Sequence, residues 1–226
     1  MKKTGIDGLD VLLGGGIPEG HVVAVVGSYG TGKTILGLHF IYEGLKAGES
    51  CLIMSFDEDE RSIIDNAKSV GMDLENFKDK LQIVRLEAIE VRKSFEKLES
   101  ELPEIISNLG IKRMFIDSIS VLETLFDDAG RYWMLATLRR ILKNAGITAI
   151  IASEADRYNP SSSKYGILEY ICDGMISLKV IRKSELDEPI LGLEVVKMRR
   201  SKHSRKPKPY MITDRGIVVY EEVEIF

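Results

Sequence analysis

Apolar and β-branched residues gather in short runs, each bounded by Gly, Asp or Pro: Val22 to Val26, Cys51 to Phe56, Leu81 to Val84, Arg113 to Asp117 and Ile147 to Ala152. Runs of that length without polar alternation predict strands buried on both faces. Between them the period lengthens. From Arg131 to Ala145, the residues Met134, Leu135, Leu138, Ile141, Leu142 and Ala145 recur at helical spacing, and Gly146 supplies the stop. Strand alternating with helix predicts βαβ crossovers, a mostly parallel sheet flanked by helices, and ligands at the carboxyl ends of the strands. After Gly174 come Met175 to Ile181, Gly192 to Lys197, Tyr210 to Thr213 and Ile217 to Tyr220, joined by turn residues such as Asp214-Arg215-Gly216. These predict a C-terminal antiparallel extension. With no internal repeat, low-complexity linker or composition break, residues 1–226 read as a single α/β domain.

Composition narrows the class without naming a function. The 226 residues are 44% hydrophobic, and 31 Lys+Arg against 35 Asp+Glu leave a net charge of -4. Such a chain folds around a packed core, which excludes disordered and fibrous classes, and its mild acidity argues against a general nucleic-acid coat. No apolar run approaches the roughly 18 residues that span a bilayer. Asp7 and Asp10 interrupt the apolar run that a secretory signal after Met1-Lys2-Lys3 would need. Cys51 and Cys172 lie in apolar surroundings without metal-ligand spacing, and read as reduced core thiols of a cytoplasmic protein with no membrane contact.

Directly after the first strand stands Gly27-Ser28-Tyr29-Gly30-Thr31-Gly32-Lys33-Thr34, followed by an apolar helical pattern from Ile35. This is GxxxxGK[ST] between a strand and a helix. Glycines let successive backbone N–H groups point into one concavity, Lys33 reaches β- and γ-phosphates, the Thr34 hydroxyl ligates Mg²⁺, and the helix presents its positive end. The expected ligands are ATP or ADP with Mg²⁺. Asp117, closing the run Met114-Phe115-Ile116-Asp117, would arrive at the same sheet edge and is the second candidate for the metal.

Hydrolysis needs a group that orients or deprotonates water. Asp57-Glu58-Asp59-Glu60 follows the second strand, where carboxylates suit the start of a helix but also stand near a bound triphosphate. Glu58, with the longer reach, is the first candidate base and Asp57 the second.

These motifs resemble a known family. The stretches Gly5-Ile6-Asp7-Gly8-Leu9-Asp10 and Leu13-Gly14-Gly15-Gly16-Ile17-Pro18-Glu19-Gly20, with the phosphate loop, resemble the opening of RecA/RadA proteins. Ser55-Phe56-Asp57-Glu58, Ile64 to Asn66 with Gly71-Met72-Asp73, Phe115-Ile116-Asp117-Ser118, Tyr165-Gly166 to Glu169, Cys172-Asp173-Gly174, Lys197-Met198-Arg199, Ile212-Thr213-Asp214 and Gly216-Ile217 narrow the resemblance to KaiC-like ATPases. The resemblance implies a RecA-like P-loop NTPase domain in a homohexameric ring, with ATP between neighbouring subunits, a regulatory use and an unidentified protein client. In KaiC the acidic pair is Glu-Glu and its first member polarises the attacking water; here that position is Asp57. KaiC also carries Lys-x-Arg and then His on a late strand that reaches the neighbour's nucleotide, which maps onto Lys197, Arg199 and His203. Arg200 stands where the KaiC pattern has Gly. On an extended chain Lys197, Arg199, Ser201 and His203 share parity, so all four can face one ligand, and a basic group supplied in trans stabilises charge on the γ-phosphate.

Two other readings stay open on sequence alone. A RadA-like protein would turn the loops after Asp117 and after Ala152 toward single-stranded DNA. The first carries Glu123, Asp127 and Asp128, the wrong sign for a phosphate backbone; the second carries Arg157, Tyr158, Lys164 and Tyr165, which combine charge with stacking. The other reading is a nucleotide-binding scaffold with little turnover, suggested by Asp57 and Arg200. Ser161-Ser162-Ser163 beside Pro160 reads as a turn, so kinase activity is not expected. A chain of this length accommodates one such ATPase domain and not two.

Overall fold

The computed structural model describes residues 1–182 and 188–225. In chain order its strands are β1 Val22–Gly27, β2 Ser50–Ser55, β3 Leu81–Arg85, β4 Ile111–Asp117, β5 Thr148–Glu154, β6 Gly174–Ile181, β7 Ile190–Met198, β8 Lys208–Thr213 and β9 Gly216–Val219. The helices are α1 Asp7–Leu12, α2 Lys33–Lys46, α3 Glu60–Ser69, α4 Ala88–Lys93, α5 Phe95–Asn108, α6 Ile119–Glu123, α7 Asp128–Asn144 and α8 Leu168–Ile171. All nine strands form one sheet in the order β3-β2-β4-β5-β1-β6-β7-β8-β9.

The five apolar runs are the parallel strands β1 to β5, with ends shifted by up to two residues; β4 starts at Ile111 because Ile111 is itself buried. The helix read from Arg131 begins at Asp128, because Asp127 caps it by accepting the Gly130 N–H at 2.8 Å. One expectation changes. Strand β6 pairs parallel with β1 before it pairs antiparallel with β7, so the antiparallel extension starts one strand later than its sequence pattern suggests.

Every residue of β1 is buried. Val23 and Val25 pack with Leu36, Phe40 and Ile41 of α2 on one face, while Val22, Ala24 and Val26 pack with α7 residues such as Leu138 and Leu142 on the other. Coverage of both faces explains the unbroken apolar strands. Close approach also fixes a glycine: a Cβ at Gly37 would stand 2.2 Å from the Phe115 ring, so α2 lies against β4 only without a side chain there.

Two buried titratable groups have opposite preferences. His39 Nε2 accepts the Ile217 N–H at 3.0 Å, and burial, then Lys46, hold its pKa down at about 4, against Glu43. Both carboxylate oxygens of Glu123 are buried without a hydrogen-bond partner among the described residues, and burial pushes its pKa up to about 7, with Arg131 and Lys164 opposing and Glu169 adding to the rise. As pH falls from 6.5 to about 4, unfolded His39 takes a proton that the fold refuses, and about 3 kcal/mol is lost. As pH falls from about 7 to 4.5, folded Glu123 takes a proton that the unfolded chain does not, and about 3 kcal/mol is gained. The two slopes oppose each other. Urea unfolding should therefore find Glu123→Gln more stable than wild type by about 3 kcal/mol at pH 7 and level with it at pH 4.5, while His39→Gln gains on wild type as the pH falls. Parallel pH profiles for both variants and wild type would refute these assignments.

Candidate active site

The carboxyl end of β1 runs into the loop Gly27 to Thr34, which opens α2. Gly30 and Gly32 take φ of 73° and 81°, backbone that a side chain would strain. A Cβ on Gly32 would also meet Ile212 Cδ1 at 2.8 Å, and one on Gly27 would meet Thr31 Oγ1 at 2.5 Å. Thr31 is fully buried and donates from Oγ1 to the Ser28 carbonyl at 2.8 Å. Its own carbonyl accepts the Tyr210 hydroxyl at 2.6 Å. The loop is thus fastened both internally and by a residue of β8, while Tyr29 at its tip is exposed.

Lys33 Nζ donates to the carbonyls of Gly27 and Ser28, each at 2.9 Å. Burial lowers its pKa, against the pull of Asp117 and Glu154. The Thr34 hydroxyl donates to Asp117 Oδ2 at 2.6 Å, across 83 residues of sequence. Burial raises the Asp117 pKa, opposed by that hydrogen bond and by Lys33. Both residues border a cleft of about 710 Å³ together with Lys33, Asp57, Glu58 and Glu154, within the size range of small-molecule sites.

The acidic run after β2 divides by position. Asp59 caps α3 by accepting the Ser62 N–H at 2.8 Å, and Glu60 occupies the first turn. Asp57 and Glu58 instead face the cleft. Their N–H groups donate to the buried Ser55 Oγ at 3.3 and 2.9 Å, and Asn66 Nδ2 donates to Glu58 Oε2 at 2.6 Å. Burial raises the Glu58 pKa, and Asp117 and Asp57 raise it further.

The basic residues of the tail lie elsewhere. Extended parity would align Lys197, Arg199, Ser201 and His203, but β7 ends at Met198 and Arg200 takes φ 56°, so the alignment is lost. Arg200 adopts the left-handed backbone that glycine favours, at about 1–2 kcal/mol. Lys197 Nζ donates to the carbonyls of Glu169 and, at 2.7 Å, Cys172. Arg199 Nη2 donates to the Tyr170 carbonyl at 2.9 Å, and the Arg199 carbonyl lies 2.9 Å from His21 Nε2, just before β1. Ser201 Oγ donates weakly to the Lys202 carbonyl, and His203 Nε2 is buried with no partner among the described residues. These four sit at the amino edge of the parallel sheet, apart from the chain's own phosphate loop.

The two loops considered for DNA also differ from expectation. Glu123 is buried and withdrawn from the surface, whereas Asp127, which caps a helix, and Asp128, which pairs with Arg131 at 2.8 Å, both stay exposed. In the second loop Arg131 covers the Tyr165 ring at 3.6 Å and Lys164 pairs with Glu154 at 2.6 Å; Arg157 borders the cleft and Tyr158 stands exposed. Ser162 and Ser163 both donate to the Glu169 carboxylate. Cys51 and Cys172 are buried free thiols with pKa values raised to about 12 by burial. Among the described residues, no helix is long and apolar enough to cross a membrane.

A family model described as "ATPase: KaiC" matches residues 2–224. The chain belongs to the KaiC ATPase family. Among KaiC relatives, "Circadian clock protein KaiC2" of Synechocystis is 33% identical over 96% of this chain and 39% of its own length. A circadian clock oscillator protein KaiC of Parathermosynechococcus lividus is 32% identical over 97% of this chain and 42% of its own. The chain therefore spans about two fifths of the length of these clock proteins. A UPF0273 protein of Pyrococcus horikoshii is 33% identical over 97% of this chain and 94% of its own, a match of similar length. Among solved structures, the crystal structure of a KaiC-like protein from the same archaeon superposes with a TM-score of 0.84 at 32% identity, covering 96% of this chain and 97% of that one. KaiC-family membership implies nucleotide binding.

Tyr210, Ser55, Asn66 and Glu154 are site residues that motif reasoning did not assign. Ser55 and Asn66 lie within family motifs but have no chemistry that stands out in sequence; Tyr210 reads only as an inward strand position. Tyr210→Phe leaves the buried Thr31 carbonyl unpaired, which should lower stability by about 1–3 kcal/mol. Thermal unfolding should show that loss, and titration with a fluorescent ATP analogue should show weakened binding. Unchanged values for both would mean that Tyr210 does not hold the loop.

Proposed function

We propose that residues 1–226 are one Mg²⁺-dependent ATPase unit that hydrolyses ATP in a homohexameric ring, in the cytoplasm, with a regulatory use and a protein client. The observation that carries hydrolysis is the convergence of Lys33, Thr34, Asp117 and Glu58 on one cleft at the carboxyl edge of the sheet. The donor set suits the metal. A hydroxyl and a half-buried carboxylate 2.6 Å apart are hard oxygen ligands, and burial, which raises the Asp117 pKa against Lys33, leaves room for a further positive partner. Thr34 and Asp117 would hold Mg²⁺, which when bound neutralises charge on the phosphate oxygens.

The remaining roles belong to the chain itself. The glycine-rich loop directs backbone N–H groups at the phosphates, and Lys33 exchanges its two carbonyl contacts for phosphate oxygens. Glu58 acts as the general base, since a carboxylate whose pKa is raised takes a proton from water more readily than an ordinary one. Asp57, at the position of the family's first glutamate, supports Glu58 and raises its pKa. Lys197 and Arg199 act on the neighbouring subunit's nucleotide. Their place at the amino edge supports this reading, because β1 alone spans six residues, roughly 20 Å, between that edge and the phosphate loop. Ser201 and His203 accompany them. The buried free thiols support a reducing compartment.

Glu58→Gln and Arg199→Ala should each lower kcat by a hundredfold or more, on the order of the loss of a catalytic carboxylate or a trans arginine. Mixed before assembly in equal amounts, the two inactive variants should recover about a quarter of wild-type activity, because statistical assembly gives that share of interfaces an intact Glu58 facing an intact Arg199. No recovery on mixing would overturn the trans assignment, and wild-type turnover by Glu58→Gln would overturn the general base.

A further inference from the structure

Glu58 Oε2 receives one hydrogen bond among the described residues, from the Asn66 amide at 2.6 Å. Its other surroundings are hostile to a fixed carboxylate: burial, Asp117, Asp57 and Asp59 all disfavour its charge, and the Asn66 hydrogen bond opposes them. Asn66 is well placed to act. It projects from the second turn of α3, whose start is fixed by the Asp59 cap and whose inner face is anchored by buried Ile63 and Ala67. The Glu58 backbone is fixed separately, by its N–H donating to Ser55 Oγ at 2.9 Å. One side chain thus holds the main chain and another the carboxylate, leaving χ angles little freedom.

Asn66 does not border the large cleft. It lines a smaller recess of about 300 Å³ together with Gly30, Gly32, Ser69 and Ile212, and Glu58, Lys33 and Thr34 border both spaces. The amide holds the carboxylate by Oε2, while Oε1 accepts no hydrogen bond among the described residues and is free for a water. Asn66 is itself exposed, so its amide adds little to the core.

We infer that Asn66 is a positioning residue, holding the Glu58 carboxylate at the angle from which it takes a proton from the attacking water. The inference rests on the reading of Glu58 as general base. Steady-state ATPase kinetics on Asn66→Ala, Asn66→Asp and Glu58→Gln, with and without Asn66→Ala, test it. Asn66→Ala should lower kcat about ten- to a hundredfold, the size expected for a misplaced catalytic group, with KM and the affinity for a non-hydrolysable ATP analogue unchanged. Asn66→Asp has the same shape but lacks the donor, and should be no better. In the Glu58→Gln background the Asn66→Ala change should alter kcat less than about twofold, since the residue acts only through Glu58. Wild-type or raised kcat in Asn66→Ala, or an equal loss in both backgrounds, overturns the positioning role while leaving the base intact. Wild-type kcat in Glu58→Gln removes both.

Discussion

Helices cover both faces of the parallel sheet, so its inner strands are almost wholly buried while the edge strand β3 stays partly exposed, and polar groups within the inner strands must be paired or placed at an end. That constraint sorts the chemistry. β1 buries six residues without one polar side chain, and the loop that follows carries the phosphate-binding groups. β4 is apolar from Met114 to Ile116 and ends in Asp117. The polar side chains inside the sheet serve the frame: Arg113 donates to Glu49 at 2.6 Å and to two backbone carbonyls while stacking on Phe40, and Ser55 orders the turn after β2. Ser177 Oγ is buried with no partner among the described residues, and nothing in the structure explains it.

The cleft concentrates negative charge. Asp57, Glu58, Asp117, Glu154 and Asp156 border it, against Lys33, Arg157 and Lys179. Burial, more than the neighbouring carboxylates, holds Asp117 and Glu58 above their ordinary pKa values. Such a site is incomplete electrostatically and favours a cation that arrives with its own polyanion. At the other edge the same logic gives a stable structural pair: Asp173, fully buried, accepts from Val22, Arg139 and Lys143, and its pKa falls to about 2 because these contacts outweigh burial.

What could be read from sequence was what depends on near neighbours. The parallel strands, the long α7 helix and the phosphate loop each announce themselves within a dozen residues. Asp117 was legible because a strand end has a fixed address in this architecture. The parity of Lys197 to His203 failed for the same local reason: it assumes the strand continues, whereas the chain turns at Arg199 and Arg200. Glu123 and Tyr165 looked like surface residues, because nothing near them in sequence reveals that Arg131 and the β5–α8 loop close over them. Strand order, and the placing of β6 beside β1, likewise depend on pairings across 150 residues.

Tyr210 and Ile217 reach back to Thr31 and His39 across 179 and 178 residues. During synthesis the phosphate loop and the helix behind it emerge well before Tyr210 and Ile217, the residues that tether them. Contacts so distant in sequence form late and slowly. A nascent chain therefore carries a loop that has the right residues but lacks its supports until β8 and β9 have joined the sheet.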